Sequence, residues 1–265
     1  MTYRTAFQNA LLAETAFDLD GQLTLAELVL HVPHASAHLP DRTGYVVPEA
    51  CVQKEVALLT DWYTDELFAV PGATALVAPF SRVFCDVERL PDMQEPMYAA
   101  GRGFFYTHCD DGTPLREDVT GLKSHIRENY YLPHHAALQH LVATKLEQVG
   151  RCTILDCHSF ADEPFASDSD QTRPRPDVCL GTDAWHTPDW LVEKFEQAFA
   201  QQGYTVAINA PYSGTVVPLP YYRQERHVLS IMLEVNRRLY LTPANEPRPA
   251  ALAQLNRVLR EALQH

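Results

Sequence analysis

Cys152-Thr153-Ile154-Leu155-Asp156-Cys157-His158-Ser159-Phe160 decides how this chain is read. Thr153 to Leu155 predicts a buried strand that runs out into four polar or reactive side chains. The segment before it ends in Gln148-Val149-Gly150, a helix with a glycine stop. A helix, a glycine, an apolar strand and then Asp-x-His-Ser is the layout by which α/β folds present ligands beyond the carboxyl ends of their strands. The His158 imidazole suits a divalent metal, and Asp156 suits the role of an acceptor that orients it. The bland alternative is a core histidine bonded to its own neighbours.

Working outward, the strand signals recur. Glu27 to Val32 predicts the first core strand and breaks at Pro33, placing His34 just past a strand end in a loop bounded by Pro33 and Pro40. A helix starts near Pro48. Its apolar positions Leu58, Leu59, Trp62, Leu67 and Phe68 imply that Asp61 and Asp65 need not both face water. Ala73 to Ala78 and Val83 to Val87 predict two more strands, the second ending in Asp86-Val87-Glu88-Arg89. Residues 91 to 119 are loop-like, and so long a connection is often a functional lid. A helical region spans about 120 to 149 with a kink at Pro133. Beyond the opening stretch come strands at 177–180, 205–208 and 228–235. A helix follows Thr187-Pro188, and an amphipathic helix closes the chain. Residues 1 to 26 are expected to form a short arm packed on the body. Strands alternating with helices predict an α/β fold with a largely parallel or mixed sheet, and 265 residues fit a single domain, 1–265.

Composition narrows the partners. A formal net charge of -13 disfavours nucleic acid and anionic membrane surfaces. The first residues lack a signal-peptide layout, and no apolar run approaches the roughly 20 residues that span a bilayer. The six cysteines include no C-x-x-C and are expected to be free thiols of a reducing compartment, giving a cytoplasmic expectation.

The polar residues gather at four strand ends: His34, Asp86 to Arg89, Asp156 to Ser159, and Glu234. A zinc hydrolase needs about three ligands from His and Asp/Glu, one open position and a carboxylate base. His34 and His158 are the candidate imidazole ligands, with Asp61 as third ligand and His38 and Glu88 as alternatives. Glu234 is the candidate general base. Arg89, whose planar fork suits a carboxylate, is the candidate clamp for a small carboxylate-bearing substrate. His31 and His38 read as core and loop residues, and Glu234 has an alternative as an ion-pair partner of Arg237 or Arg89. A cysteine-hydrolase reading with Cys157 is weak, because adjacent strand residues point to opposite faces.

The motifs resemble those of the N-formylglutamate amidohydrolase family. Pro33-His34-Ala35-Ser36 resembles its P-H-S-G, and Asp61-Trp62-Tyr63-Thr64-Asp65-Glu66-Leu67-Phe68 its D-W-x-x-D-x-L-[FY]. Ser81 to Arg89 looks like S-R-x-x-x-D-x-N-R, Tyr131 to His135 like [YW]-x-P-Y-H, and Asp156 to Ser159 like D-x-H-S. Pro176 to Thr182, Asn209 to Gly214 and Leu233 to Arg237 complete the series, in order over roughly 27 to 240. The resemblance implies a three-layer α/β/α sandwich similar to zinc carboxypeptidases and one zinc ion. It also implies hydrolysis of N-formyl-L-glutamate to formate and L-glutamate in histidine degradation. It supports His158, Arg89 and Glu234 in the roles above; His135, Asn209 and Arg127 join Arg89 as substrate-binding candidates. The chain departs from the pattern at Ala35-Ser36 and at Glu88, which stands where the family has Asn. Glu88 adds a negative charge beside the carboxylate site, so a binding protein of the same fold and a hydrolase of another small acidic amide stand as alternatives.

Overall fold

The computed structural model describes residues 22–264. Apart from 22–26, where Leu23 is buried in the main core, the expected N-terminal arm lies outside the described residues. Six strands form one sheet: β1 (Leu28–Val32), β2 (Thr74–Val77), β3 (Cys152–Phe160), β4 (Val178–Gly181), β5 (Val206–Ile208) and β6 (Val228–Asn236). Their order is β2-β1-β3-β6-β4-β5, and neighbours run parallel except β4 against β6. The mixed, mostly parallel α/β sheet expected from the strand–helix alternation is present.

The helices are α1 (Glu49–Leu59), α2 (Thr64–Leu67), α3 (Leu122–Ile126), α4 (Leu132–Val149), α5 (Asp189–Gln201) and α6 (Pro249–Gln264). Side chains alternate across β3, so Leu155 and Cys157 face one layer while Cys152 and Ile154 face the other. On the first face they pack with Phe195 and Phe199 of α5 and with Leu255 and Leu259 of α6. On the second, Leu138 and Val142 of α4 close over Val29 and Ile154. Burying each such side chain contributes about 1.5–3 kcal/mol relative to leaving it in water. Helix α4 stops where the sequence placed the stop, at Gly150, which takes a φ of 77°. Among the described residues no helix is long and apolar enough to cross a membrane.

Three expectations need correction. β3 does not end at Leu155. It continues through Asp156-Cys157-His158-Ser159 to Phe160, because β6 is equally long and pairs with it residue by residue up to Phe160 opposite Asn236. The second, Val83 to Val87, is a series of turns rather than a strand. Its side chains are fully buried, but they enter a separate core with Val52, Phe104, Tyr106 and Leu115, and the backbone of Phe84 and Cys85 bonds to the Ser81 carbonyl. Burial, not sheet pairing, accounts for its apolar composition. Finally, the irregularity expected at Pro133 lies ahead of it, as a π-helical turn over Arg127–Tyr131. Pro133 sits in the first turn of α4 and lacks the N–H that would continue the preceding ladder.

The same second core anchors the long 91–119 connection. Phe104, Phe105 and Tyr106 are buried in it, which makes the connection a wall of the molecule. All six cysteines are free thiols, and only Cys51 is exposed. Cys157 lies in the main core with its thiol against the Leu155 carbonyl, and burial pushes its proton affinity well up. That environment removes the nucleophile reading.

Candidate metal centre

The fold brings four of the sequence-selected residues to one place. His158 on β3 and Glu234 on β6 stand opposite each other in register and share a face. His34 follows the end of β1. Asp61 sits in the break between α1 and α2, where its N–H donates to the His34 carbonyl at 2.9 Å. Two features make that break. Thr60 donates its hydroxyl back to Val56 at the end of α1, and the Asp61 carbonyl accepts from the Thr64 N–H and hydroxyl to start α2. Tyr63 takes the left-handed φ of 61° that the tight turn requires. Asp61 is thereby buried while Asp65 in the same run is exposed.

Donor atoms of His34, Asp61 and His158 lie within 4.8 Å of one another. Asp61 Oδ2 is 3.2 Å from His158 Nδ1 and 3.7 Å from His34 Nδ1. The opposite nitrogens are already engaged. His34 Nε2 meets Asp86 Oδ1 at 3.0 Å, and His158 Nε2 meets Asp156 Oδ1 and Glu88 Oε1 at 3.1 Å each. Carboxylates behind two imidazoles fix ring orientation and leave the Nδ1 lone pairs converging on Asp61. His34 Nδ1 is buried with no hydrogen-bond partner, and so is Glu234 Oε2. Orphaned buried polar atoms are costly. Two imidazoles and a carboxylate form a donor set that fits a zinc-like divalent cation with one position left open.

The electrostatics agree with that fit. Burial alone would lower the proton affinity of His158, but Glu88 and Asp156 outweigh it and raise the pKa well above the usual imidazole range. Burial likewise opposes ionisation of Asp61, yet hydrogen bonds from His158 and His34 and the charge of Arg237 hold its carboxyl well below the usual range. Asp86 is held down in the same way by Arg82 and His34. Carboxylates that raise the proton affinity of both His34 and His158 also favour a dication. Glu234 is pushed up to about 7, first by burial and then by the negative charges of Asp61 and Glu88, with His158 and Arg237 pulling the other way.

These residues line a cavity of about 480 Å³, a size suited to a small metabolite. Arg89 lines it as well, and at 32% its side chain is the most open of the lining arginines 82, 89, 102 and 237. One Nη of Arg89 pairs with Glu95 at 3.2 Å. Three other sequence-selected residues are placed elsewhere. Arg127 is exposed on the π-helical turn. Asn209 is exposed, with its side chain bridging the Thr182 N–H and hydroxyl. His135 is half-buried against the Tyr131 ring at 4.3 Å, and burial lowers its pKa to about 4. None of the three lines the cavity. Of the alternative third ligands, His38 is exposed, and Glu88 sits behind His158, directed at imidazoles rather than at Arg89.

Residues outside the candidate ligand, base and substrate sets complete the surroundings, and Arg237 pairs with Asp61. Arg82 donates through Nε and Nη2 to Asp86 Oδ2, which also accepts from the Tyr106 hydroxyl. Arg237 donates to Asp61 Oδ1 at 2.7 Å and to the Ser159 hydroxyl. The spacing of Arg82 and Asp86 by four residues was the one local signal for the first pair; nothing local joins Arg237 to Asp61. Tyr212 also lines the cavity, within the stretch that contains Asn209.

Known proteins share this arrangement of chain. A model of the N-formylglutamate amidohydrolase family matches residues 26–241. N-formylglutamate deformylase of Pseudomonas putida is 27% identical over 226 residues, covering 81% of each chain. The protein of the same name from Pseudomonas aeruginosa is 28% identical over 254 residues, covering 89% of this chain and 91% of its own. The crystal structure of N-formylglutamate amidohydrolase from Ralstonia eutropha superposes with a TM-score of 0.77 at 27% identity, over 92% of this chain and 93% of that one. A gene product of Agrobacterium tumefaciens, at 18% identity and a TM-score of 0.62, shares the fold over 91% of this chain and 93% of its own. Because the family match runs through all six strands and both flanks of the cavity, the chain belongs to the N-formylglutamate amidohydrolase family.

Proposed function

We propose that this chain is a metal-dependent amidohydrolase that cleaves N-formyl-L-glutamate to formate and L-glutamate. The observation that carries the reading is the convergence of His34, Asp61 and His158 with Glu234 beside them in one cavity. Relatives named for deformylation of N-formylglutamate support the substrate.

His34 and His158 through Nδ1, and Asp61 through Oδ2, would hold the ion. A zinc ion bound there polarises an amide oxygen and lowers the pKa of water. Glu234 does the proton work. As a carboxylate it takes a proton from the water that adds to the formyl carbon. It then delivers that proton to the amide nitrogen as the C–N bond breaks, so formate leaves and the amine of glutamate is released. With burial pushing its pKa up to about 7, Glu234 can pass between the carboxylate and carboxylic acid forms that these two steps need. Arg89 offers its open guanidinium edge to a substrate carboxylate. Glu88 does not compete there, because its charge is directed at His158 and His31.

Formate release from a panel of N-acyl amino acids, using zinc-loaded protein, tests the substrate. N-formyl-L-glutamate is expected to be the best substrate. Release of a different acyl group, with none of formate, would move the assignment to another small amide.

A further inference from the structure

Behind His158, on the side away from Asp61, a second set of donors converges. His31, Glu88 and Asp156 each offer an atom within 4.8 Å of the others. His31 Nδ1 is 2.8 Å from Asp156 Oδ1 and 3.7 Å from Glu88 Oε1. Zinc bonds of about 2.0–2.2 Å in tetrahedral geometry separate neighbouring donors by about 3.3–3.6 Å, so these spacings bracket a coordination sphere. We propose that His31, Glu88 and Asp156 form a second divalent-cation site, behind the His158 ring and distinct from the His34–Asp61–His158 centre.

Three further observations support it. The atoms behind the donors are held as a metal site requires: His31 Nε2 meets His134 Nε2 at 2.9 Å, and Asp156 Oδ2 accepts from the Val216 N–H at 3.1 Å. A path in exists, since Glu88 and Asp156 line the cavity and Glu88 is 19% exposed. The charges also call for a cation. This step rests on the proposed function above: with Nδ1 of His158 committed to the first ion, its ring keeps one N–H, at Nε2. That single N–H faces two carboxylates at 3.1 Å, and although Asp156 also meets His31 Nδ1 and the Val216 N–H, two adjacent carboxylates repel each other and favour a cation between them. A dication between them and His31 offsets that charge. One imidazole and two carboxylates suit a borderline or harder first-row ion, zinc or manganese. Glu88 is the deciding residue. It stands where the resembled motif has Asn, which offers no anionic oxygen, so the site is a property of this chain. An ion there would bear on the outer edge of the His158 ring and fix its orientation.

Zinc alone is the probe. Chelator-stripped protein is dialysed against zinc with a weak competing chelator, and bound metal is counted per folded chain, with folding checked by circular dichroism. Wild type is expected to hold two zinc ions, and Glu88→Asn one. His31→Asn, as a second variant, is also expected to hold one. One ion in wild type, kept by Glu88→Asn, overturns the second site and leaves the first standing. Two ions in wild type and in both variants overturns it as well, by placing the second ion elsewhere. No bound zinc in wild type overturns both this site and the metal reading of the proposed function.

Discussion

Glu234→Gln is expected to lose about 10²–10⁴-fold in kcat on N-formyl-L-glutamate while binding zinc as wild type does. The substitution keeps the size of the side chain and its place on β6 opposite His158, but removes the group that accepts and returns the proton. Glu234 Oε2 has no hydrogen-bond partner, so no protein contact at that oxygen is broken. Burial and the charges of Asp61 and Glu88 already oppose its ionisation, so a neutral amide is tolerated by the fold. Steady-state rates with metal analysis on the same sample separate the two effects. A variant that turns over at the wild-type rate would remove Glu234 from the mechanism. One that fails to bind metal would show that its role is structural.

Asp61→Ala is expected to abolish cation binding at the His34–His158 pair and to cost about 3–5 kcal/mol of stability. The stability loss has a separate cause from the metal. Asp61 Oδ1 accepts from Arg237 at 2.7 Å, Oδ2 accepts from the Ser159 N–H at 3.3 Å, and Arg237 is 8% exposed. Without Asp61 that guanidinium keeps only its bonds to the Ser159 hydroxyl and carbonyl and the Leu58 carbonyl, and its charge is buried unpaired. Urea unfolding is best run with chelator present, so that lost metal linkage does not enter the comparison. Asp65→Ala is the internal control. Its side chain is exposed, and a change within about 0.5 kcal/mol with full metal content is expected. Equal behaviour of the two variants would contradict the placement of Asp61.

The pair also shows how far the sequence could be read. The run from Asp61 to Phe68 told that its two aspartates need not share an environment, and the helix break at Thr60 to Tyr63 is what separates them. The sheet was legible where local patterns carry the information. Short apolar runs, glycine and proline stops and the alternation with helices placed most strands and the end of α4. They failed at Val83 to Val87, where apolar residues serve a second core and not a strand, a distinction no local pattern holds. They also ended β3 too early, because β6 runs beside it to Phe160 while β1 pairs only as far as Asp156, and a cavity receives the polar side chains of Asp156, His158 and Ser159.

The site was legible as residue types and order. Its second layer was not. Asp86 behind His34, Arg237 behind Asp61 and Glu88 behind His158 are contacts between segments 52, 176 and 70 positions apart. Glu88 is the clearest case. From sequence it stands beside Arg89 as a charge at a carboxylate site, whereas the fold turns it to the histidines. Asn209 and Arg127 show the reverse: the first matches a motif yet holds a loop to Thr182, and the second is exposed on the π-helical turn.

Anomalous diffraction at the zinc edge from zinc-loaded crystals tests the central claim most directly. A peak is expected about 2.0–2.2 Å from His34 Nδ1, His158 Nδ1 and an Asp61 oxygen, on the side that faces Glu234. A peak that touches neither His34 nor Asp61, or no peak in the cavity at all, would contradict it.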